Sequence, residues 1–140
     1  YISLIITSMS IKSSQTLVEE AQKNIETLSP SKVKELFEKE EITLIDVRDI
    51  RELWKEGTIE KSNHIPRGML EFWLDPESSY YKANKIKDIK KMVLFCALGW
   101  RSALATKSLV DMGFNNVAHV DGGFDALKKS GFKVIKKEKK

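Results

Sequence analysis

Apolar positions along the chain alternate between helical spacing and short unbroken runs. Between Ser10 and Leu28, the residues Leu17, Ala21, Ile25 and Leu28 recur at helical intervals with Lys and Glu between them, which predicts an N-terminal helix or arm leading into the domain. Ser29-Pro30 predicts the start of a second helix with Val33, Leu36 and Phe37 on its apolar face, because a first turn tolerates proline's missing N–H. Thr43–Val47 is apolar and rich in β-branched residues, and reads as a buried strand. A helix over residues 50–55 follows, closed by Gly57, and Asn63–Ile65 reads as a short strand ended by Pro66.

The stretch 68–83 mixes Met69, Leu70, Phe72, Trp73, Tyr80 and Tyr81 with Pro76, which predicts a short helix and then a loop. Met92–Phe95 is the clearest buried strand. Residues 101–112 read as a helix with Ala105, Leu109 and Met112 inward and Gly113 at its end. Val117–Val120 predicts another strand, Gly122-Gly123 a tight turn, and Phe124–Lys129 the last helix. Uniformly apolar strands alternating with helices predict an α/β fold: a small central parallel sheet, helices on both faces, right-handed crossovers.

Composition narrows the class. The 140 residues suit one domain, at 25–135, with a partly helical or disordered N-terminal extension at 1–24 and a basic tail at 136–140. With 41% hydrophobic and 31% charged residues the chain is globular. Of the net charge of +4, Lys136–Lys140 supply three, so the body is close to neutral and offers no basic face for nucleic acid. No apolar run is long enough to cross a bilayer. The leading Tyr1–Ser8 is too short and lacks a basic flank; it reads as a trimmed remnant of a signal or of a mis-set start, since Met9 would serve as an initiator. A single cysteine excludes a disulfide scaffold or an all-cysteine metal site, and with no export signal it points to a reducing, cytoplasmic compartment.

Ligands of open α/β sheets bind beyond the carboxyl ends of the strands, which here end at Asp46, Cys96 and Asp121. Cys96 is the most informative. Only Ala97-Leu98-Gly99-Trp100 separate it from Arg101-Ser102, where a helix begins, so the chain must turn sharply and Gly99 supplies the freedom. A loop so short curls its amides inward around an exposed sulfur, and the start of the helix and Arg101 add positive field. All three favour the nucleophilic thiolate. A buried, inert cysteine is the plain alternative. His64 and His119 lack zinc-ligand spacing and read as packed or surface residues. Asp121 reads as a turn former before Gly122. Trp54 and Trp73 read as core or lid residues, whereas Trp100 lies in the loop and would shape an acceptor's approach. Arg67 is a candidate second positive group on the rim.

Together these residues resemble the rhodanese (sulfurtransferase) superfamily. Cys96-Ala-Leu-Gly-Trp-Arg101-Ser-Ala resembles its active-site loop, and Leu44-Ile-Asp46-Val-Arg48 followed by Glu52 resembles its first signature. Gly57-Thr-Ile59 with His64-Ile-Pro66-Arg67-Gly68-Met69 resembles the second signature, and Val120-Asp-Gly-Gly-Phe124 the last. Two departures concern packing: Gly57–Ser62 lacks the usual Gly-His-Ile-Pro-Gly-Ala, and Leu127 stands where tryptophan is usual. The resemblance implies that Cys96 takes sulfane sulfur as a persulfide from a small anionic donor such as thiosulfate. It then passes that sulfur to a thiol, cyanide or an acceptor protein. Loop residues Ala97, Leu98, Gly99, Trp100 and Ser102 would cradle the charge, and Arg101 would close the loop and attract anions. Asp46 and Arg48 would support the loop, with Arg48 pairing to Glu52 or Asp46. No metal or organic cofactor, membrane or nucleic acid is implied, and the chain would be a monomer or homodimer. A cysteine phosphatase is a rival, although it conventionally has five residues between cysteine and arginine and this chain has four. A non-catalytic binding or sulfur-carrier module is the other.

Overall fold

The apolar runs pair side by side as one parallel sheet. The computed structural model describes residues 10–85 and 90–139; the leader at 1–8 and Met9 lie outside the described residues. In chain order the elements are α1 (Ser14–Gln22), β1 (Glu26–Leu28), α2 (Pro30–Glu38), β2 (Ile42–Asp46), α3 (Ile50–Glu56), β3 (Thr58–Ile59) and β4 (Asn63–His64). A 3-10 turn at Arg67–Met69 leads into α4 (Leu70–Leu74), then β5 (Lys91–Phe95), α5 (Trp100–Met112), β6 (Val117–Val120), α6 (Gly123–Lys129) and β7 (Val134–Ile135). The sheet order is β1-β6-β5-β2-β4, all parallel, which puts β5 at the centre.

Strand alternation then decides which side chains meet. Met92 and Leu94 of β5, and Cys96 just past its end, pack with Ala105 and Leu109 of α5 and with Leu70 and Leu74 of α4. Val93 and Phe95 point the other way, to Val33 of α2 and to Phe124 and Leu127 of α6. Both faces are covered, which is why the strand reads as continuously apolar. In register, Leu94 lies opposite Ile45 on one side and His119 on the other, and His119 lies opposite Thr27. Local chemistry sets the helix ends. The Ser13 and Ser29 hydroxyls accept from Thr16 and Lys32 N–H groups, and Asp49 with Glu52 forms a capping box on α3. No described helix is long and apolar enough to cross a membrane.

Three expectations change. Ile25 and Leu28 do not continue the N-terminal helix: it ends at Gln22, and Glu26–Leu28 form an edge strand, because the open edge of β6 offers hydrogen bonds that outweigh a helical spacing met by coincidence. The buried stripe of α1 is Val18 and Ala21, packed on α5, while Leu17 is 44% exposed. Met112 is likewise 42% exposed, the inward stripe of α5 being Ala105 and Leu109. A small antiparallel pair, β3 with β7, adds to the parallel sheet; each strand is two residues long, too short to show a period.

Arg48, fully buried after β2, ties these layers together. Its Nε and Nη2 meet the Asp46 carboxylate at 3.0 and 2.9 Å, Nη2 also donates to Gly57 O at 2.8 Å, and Nη1 reaches Glu56 at 3.2 Å. The guanidinium lies 4.0 Å over the Phe124 ring of α6, and Thr58 donates to Asp46 at 2.7 Å. The expected partner Asp46 is found, but the glutamate is Glu56 rather than Glu52, because Glu56 lies at the end of α3 beside Gly57. Removing one half of a buried ion pair strands the other. Arg48→Met should therefore cost about 3–5 kcal/mol of stability, read as a lower urea midpoint by circular dichroism.

Candidate active site

Cys96 lies just past the carboxyl end of the central strand, and the chain turns back into α5 within four residues. Gly99 makes that turn at φ +116, the left-handed region that glycine enters without strain. The turn directs two backbone N–H groups at the sulfur: Gly99 at 3.1 Å and Ser102 at 3.4 Å. The Ser102 hydroxyl stands 3.6 Å from Sγ. Gly99 has no side chain to cap α5, so the sulfur of Cys96 takes the place that a serine oxygen takes on α2. Backbone N–H groups and the start of α5 thus present the positive ends of their dipoles to the sulfur.

The loop is held in this shape from behind. Phe124 N–H donates to Cys96 O at 2.7 Å and Asp125 N–H to Ala97 O at 3.5 Å, so the start of α6 takes the loop's carbonyls. With the carbonyls turned out, the amides face in. The approach is so close that a Cβ on Gly123, which sits at φ +61, would lie 2.5 Å from Cys96 O and 2.6 Å from Ala97 O. The glycine pair read as a tight turn is thus also a contact surface.

Arg101 binds Glu52 through two parallel hydrogen bonds of 2.6 and 3.0 Å. The guanidinium holds the Glu52 carboxyl below its usual range, and Glu52 in turn raises Arg101. The expected free cation on the rim is accordingly a neutralised pair that bridges α3 and α5. Cys96 itself is 1% exposed, not the exposed sulfur the sequence suggested, because Ala97, Gly99 and Ser102 wrap it; Leu98 and Trp100 are 57% and 60% exposed at the rim. Arg67 pairs with Glu71 at 2.8 Å and reaches Ser108 at 3.3 Å, further along α5 than Ser102. Asp121 is exposed, its N–H donating to Leu28 O, as a turn residue would.

Residues 29–130 match the Rhodanese-like domain family. The chain belongs to that family. A relative from Arabidopsis thaliana, rhodanese-like domain-containing protein 17, is 32% identical over 102 residues, 66% of this chain, which spans only 62% of that protein. Among solved structures, a Rhodopseudomonas palustris protein of unknown function, described as a possible tyrosine phosphatase, is 40% identical with a TM-score of 0.82, covering 89% of this chain and 95% of its own. The polysulfide-sulfur transferase homodimer of Wolinella succinogenes is 33% identical with a TM-score of 0.65, covering 88% and 87%. This rhodanese-like chain therefore has sulfurtransferases among its relatives.

His119 is packed, as the sequence reading had it, but its contact with the cysteine loop escaped that reading. His119, buried on β6, stands with Nδ1 3.0 Å from Ser102 Oγ and Nε2 3.0 Å from Thr27 Oγ1. A lone polar residue inside an apolar strand, on the sheet face that Cys96 shares, is the signal that would have found it. His64 instead contacts Arg48 O at 2.7 Å.

Two outcomes follow. The backbone strain alone of Gly123→Ala should cost about 1–3 kcal/mol, read by urea unfolding, and the displaced loop should slow alkylation of Cys96 by iodoacetamide. Because the folded Glu52 carboxyl lies below its ordinary value of 4.5, the stability it contributes is complete above that pH and is lost as pH falls through the lower folded value. The stability gap between the native protein and Glu52→Gln should therefore shrink on acidification, as measured by unfolding midpoints from neutral pH downward.

Proposed function

We propose that this protein is a sulfurtransferase in which Cys96 carries sulfane sulfur as a persulfide. The observation that carries the reading is the pair of backbone N–H groups, Gly99 and Ser102, directed at Sγ inside a loop with four residues between cysteine and arginine. In the first step the Cys96 thiolate attacks the outer sulfur of thiosulfate. A Cys–S–S bond forms, the S–S bond of thiosulfate breaks, and sulfite leaves with the electron pair. The terminal sulfur is then the anion, and the same amides face it. In the second step a thiolate or cyanide attacks that sulfur, and the Cys96 thiolate leaves. Charge moves between sulfur atoms throughout, so a cup of dipoles suffices and no general base is required. Leu98 and Trp100 form the apolar rim over which a donor and an acceptor approach.

A phosphatase reading is favoured by the description of the Rhodopseudomonas neighbour. It would need the arginine fork for phosphoryl oxygens, and here both outer nitrogens of Arg101 hold Glu52.

Intact-mass measurement after incubation with thiosulfate tests the proposal. The expected result is a gain of one sulfur atom that cyanide removes and that Cys96→Ser lacks, with no release of phenol from an aryl phosphate. Hydrolysis of the phosphate without sulfur loading would transfer the assignment to a phosphatase, and inactivity in both assays would leave a binding module.

A further inference from the structure

The sulfur is largely covered, and a continuous line of hydrogen-bonding groups leads from it to the edge of the sheet. Cys96 Sγ meets Ser102 Oγ at 3.6 Å, Ser102 Oγ meets His119 Nδ1 at 3.0 Å, and His119 Nε2 meets Thr27 Oγ1 at 3.0 Å. Cys96, Ser102 and His119 are buried, whereas Thr27 on the edge strand is exposed. The register explains the alignment. Thr27 and His119 are opposite each other on neighbouring strands, His119 is opposite Leu94, and Cys96 lies two residues on from Leu94 on the same face.

A hydroxyl has one proton, and that of Ser102 has three acceptors around it: the sulfur, His119 Nδ1 and Gly99 O at 3.3 Å. Which one it serves depends on the ring. When Nδ1 is bare it takes the serine proton, and the serine oxygen is left to accept from a thiol. When Nδ1 carries the ring proton it donates to the serine oxygen, and the hydroxyl is free to turn to the sulfur. The geometry points to Thr27, His119 and Ser102 as a relay that aims a hydroxyl at Cys96 whenever its sulfur is anionic and carries the thiol proton out to Thr27.

The transfer balances. The S–H proton moves to Ser102 Oγ, the serine's own proton to Nδ1, the Nε2 proton to Thr27 Oγ1, and the threonine's own proton to water. The sulfur keeps its electron pair, and the ring ends as the other tautomer. This exchange needs a neutral imidazole, with one bare nitrogen. Burial lowers the affinity of His119 for a second proton, and Asp121, the charged group acting on the ring, opposes that only in part. Ser102 touches the reacting atom; His119 and Thr27 act through it as positioning residues.

The relay rests on Cys96 being the reactive sulfur, but its test uses no sulfur donor. Nitrogen-15 NMR of the His119 ring reads the tautomer directly. In the reduced protein at alkaline pH the ring proton is expected on Nδ1, and in Cys96→Ala, where no anion is present, on Nε2. The same tautomer in both would overturn the relay. Ser102→Ala should slow iodoacetamide alkylation of Cys96 at neutral pH by about tenfold, the worth of one hydrogen bond to a charged atom, and Ser102→Thr should restore it. An unchanged rate in Ser102→Ala, with an unchanged thermal midpoint, would equally overturn it. Failure of sulfur loading with a tautomer switch intact would remove the transferase reading and leave the relay standing.

Discussion

Everything at the carboxyl edge of the sheet depends on where the peptide carbonyls of Cys96 and Ala97 point. A peptide unit carries its N–H and C=O on opposite sides, so a tight loop can present donors to its centre only if its oxygens are held outside. The start of α6 does this: Phe124 and Asp125 supply the N–H groups, and Gly123 lets two backbones approach more closely than any side chain would permit. The cup of N–H groups is thus made by the turn from β5 into α5 but maintained by α6, which begins more than twenty residues beyond Cys96 along the chain.

Around that contact the structure divides its charges with economy. The buried Arg48 is spent on Asp46, Glu56 and the end of α3, and steadies Phe124, so it fixes the height at which α6 sits. Arg101 is spent on Glu52, which locks α3 against the beginning of α5. Neither arginine hydrogen-bonds the sulfur. Its own hydrogen bonds are made by peptide N–H groups and a hydroxyl, which stay uncharged at any pH the fold survives.

The sequence made some of this visible and hid the rest for a physical reason. The β2, β5 and β6 strands were legible because burial on both faces leaves an unbroken apolar run. Cys96 and its loop were legible because turn, glycine and helix start all lie within seven consecutive residues. What stayed hidden depends on strand order. Glu52 meets Arg101 across 49 residues, and Thr27 meets His119 across 92, only because the sheet places their strands and helices side by side. β1 was read as part of a helix or arm for the same cause: its reason for being a strand is the edge of β6, which no local spacing records. The position of His119 in an apolar strand was the one available clue, and a packed histidine explained it equally well.

The first turn of α5 borrows its cap from the sulfur, since Gly99 has none to give. One atom therefore serves two equilibria, the winding of a helix and the chemistry of a thiol. By thermodynamic linkage, any reagent that changes that atom's charge also changes the free energy of the helix end, and any perturbation that frays the helix end changes how readily the atom reacts. Heat and denaturant, which fray the helix end, and any reagent that modifies the sulfur therefore act on one shared contact, the Ser102 N–H to Cys96 Sγ hydrogen bond.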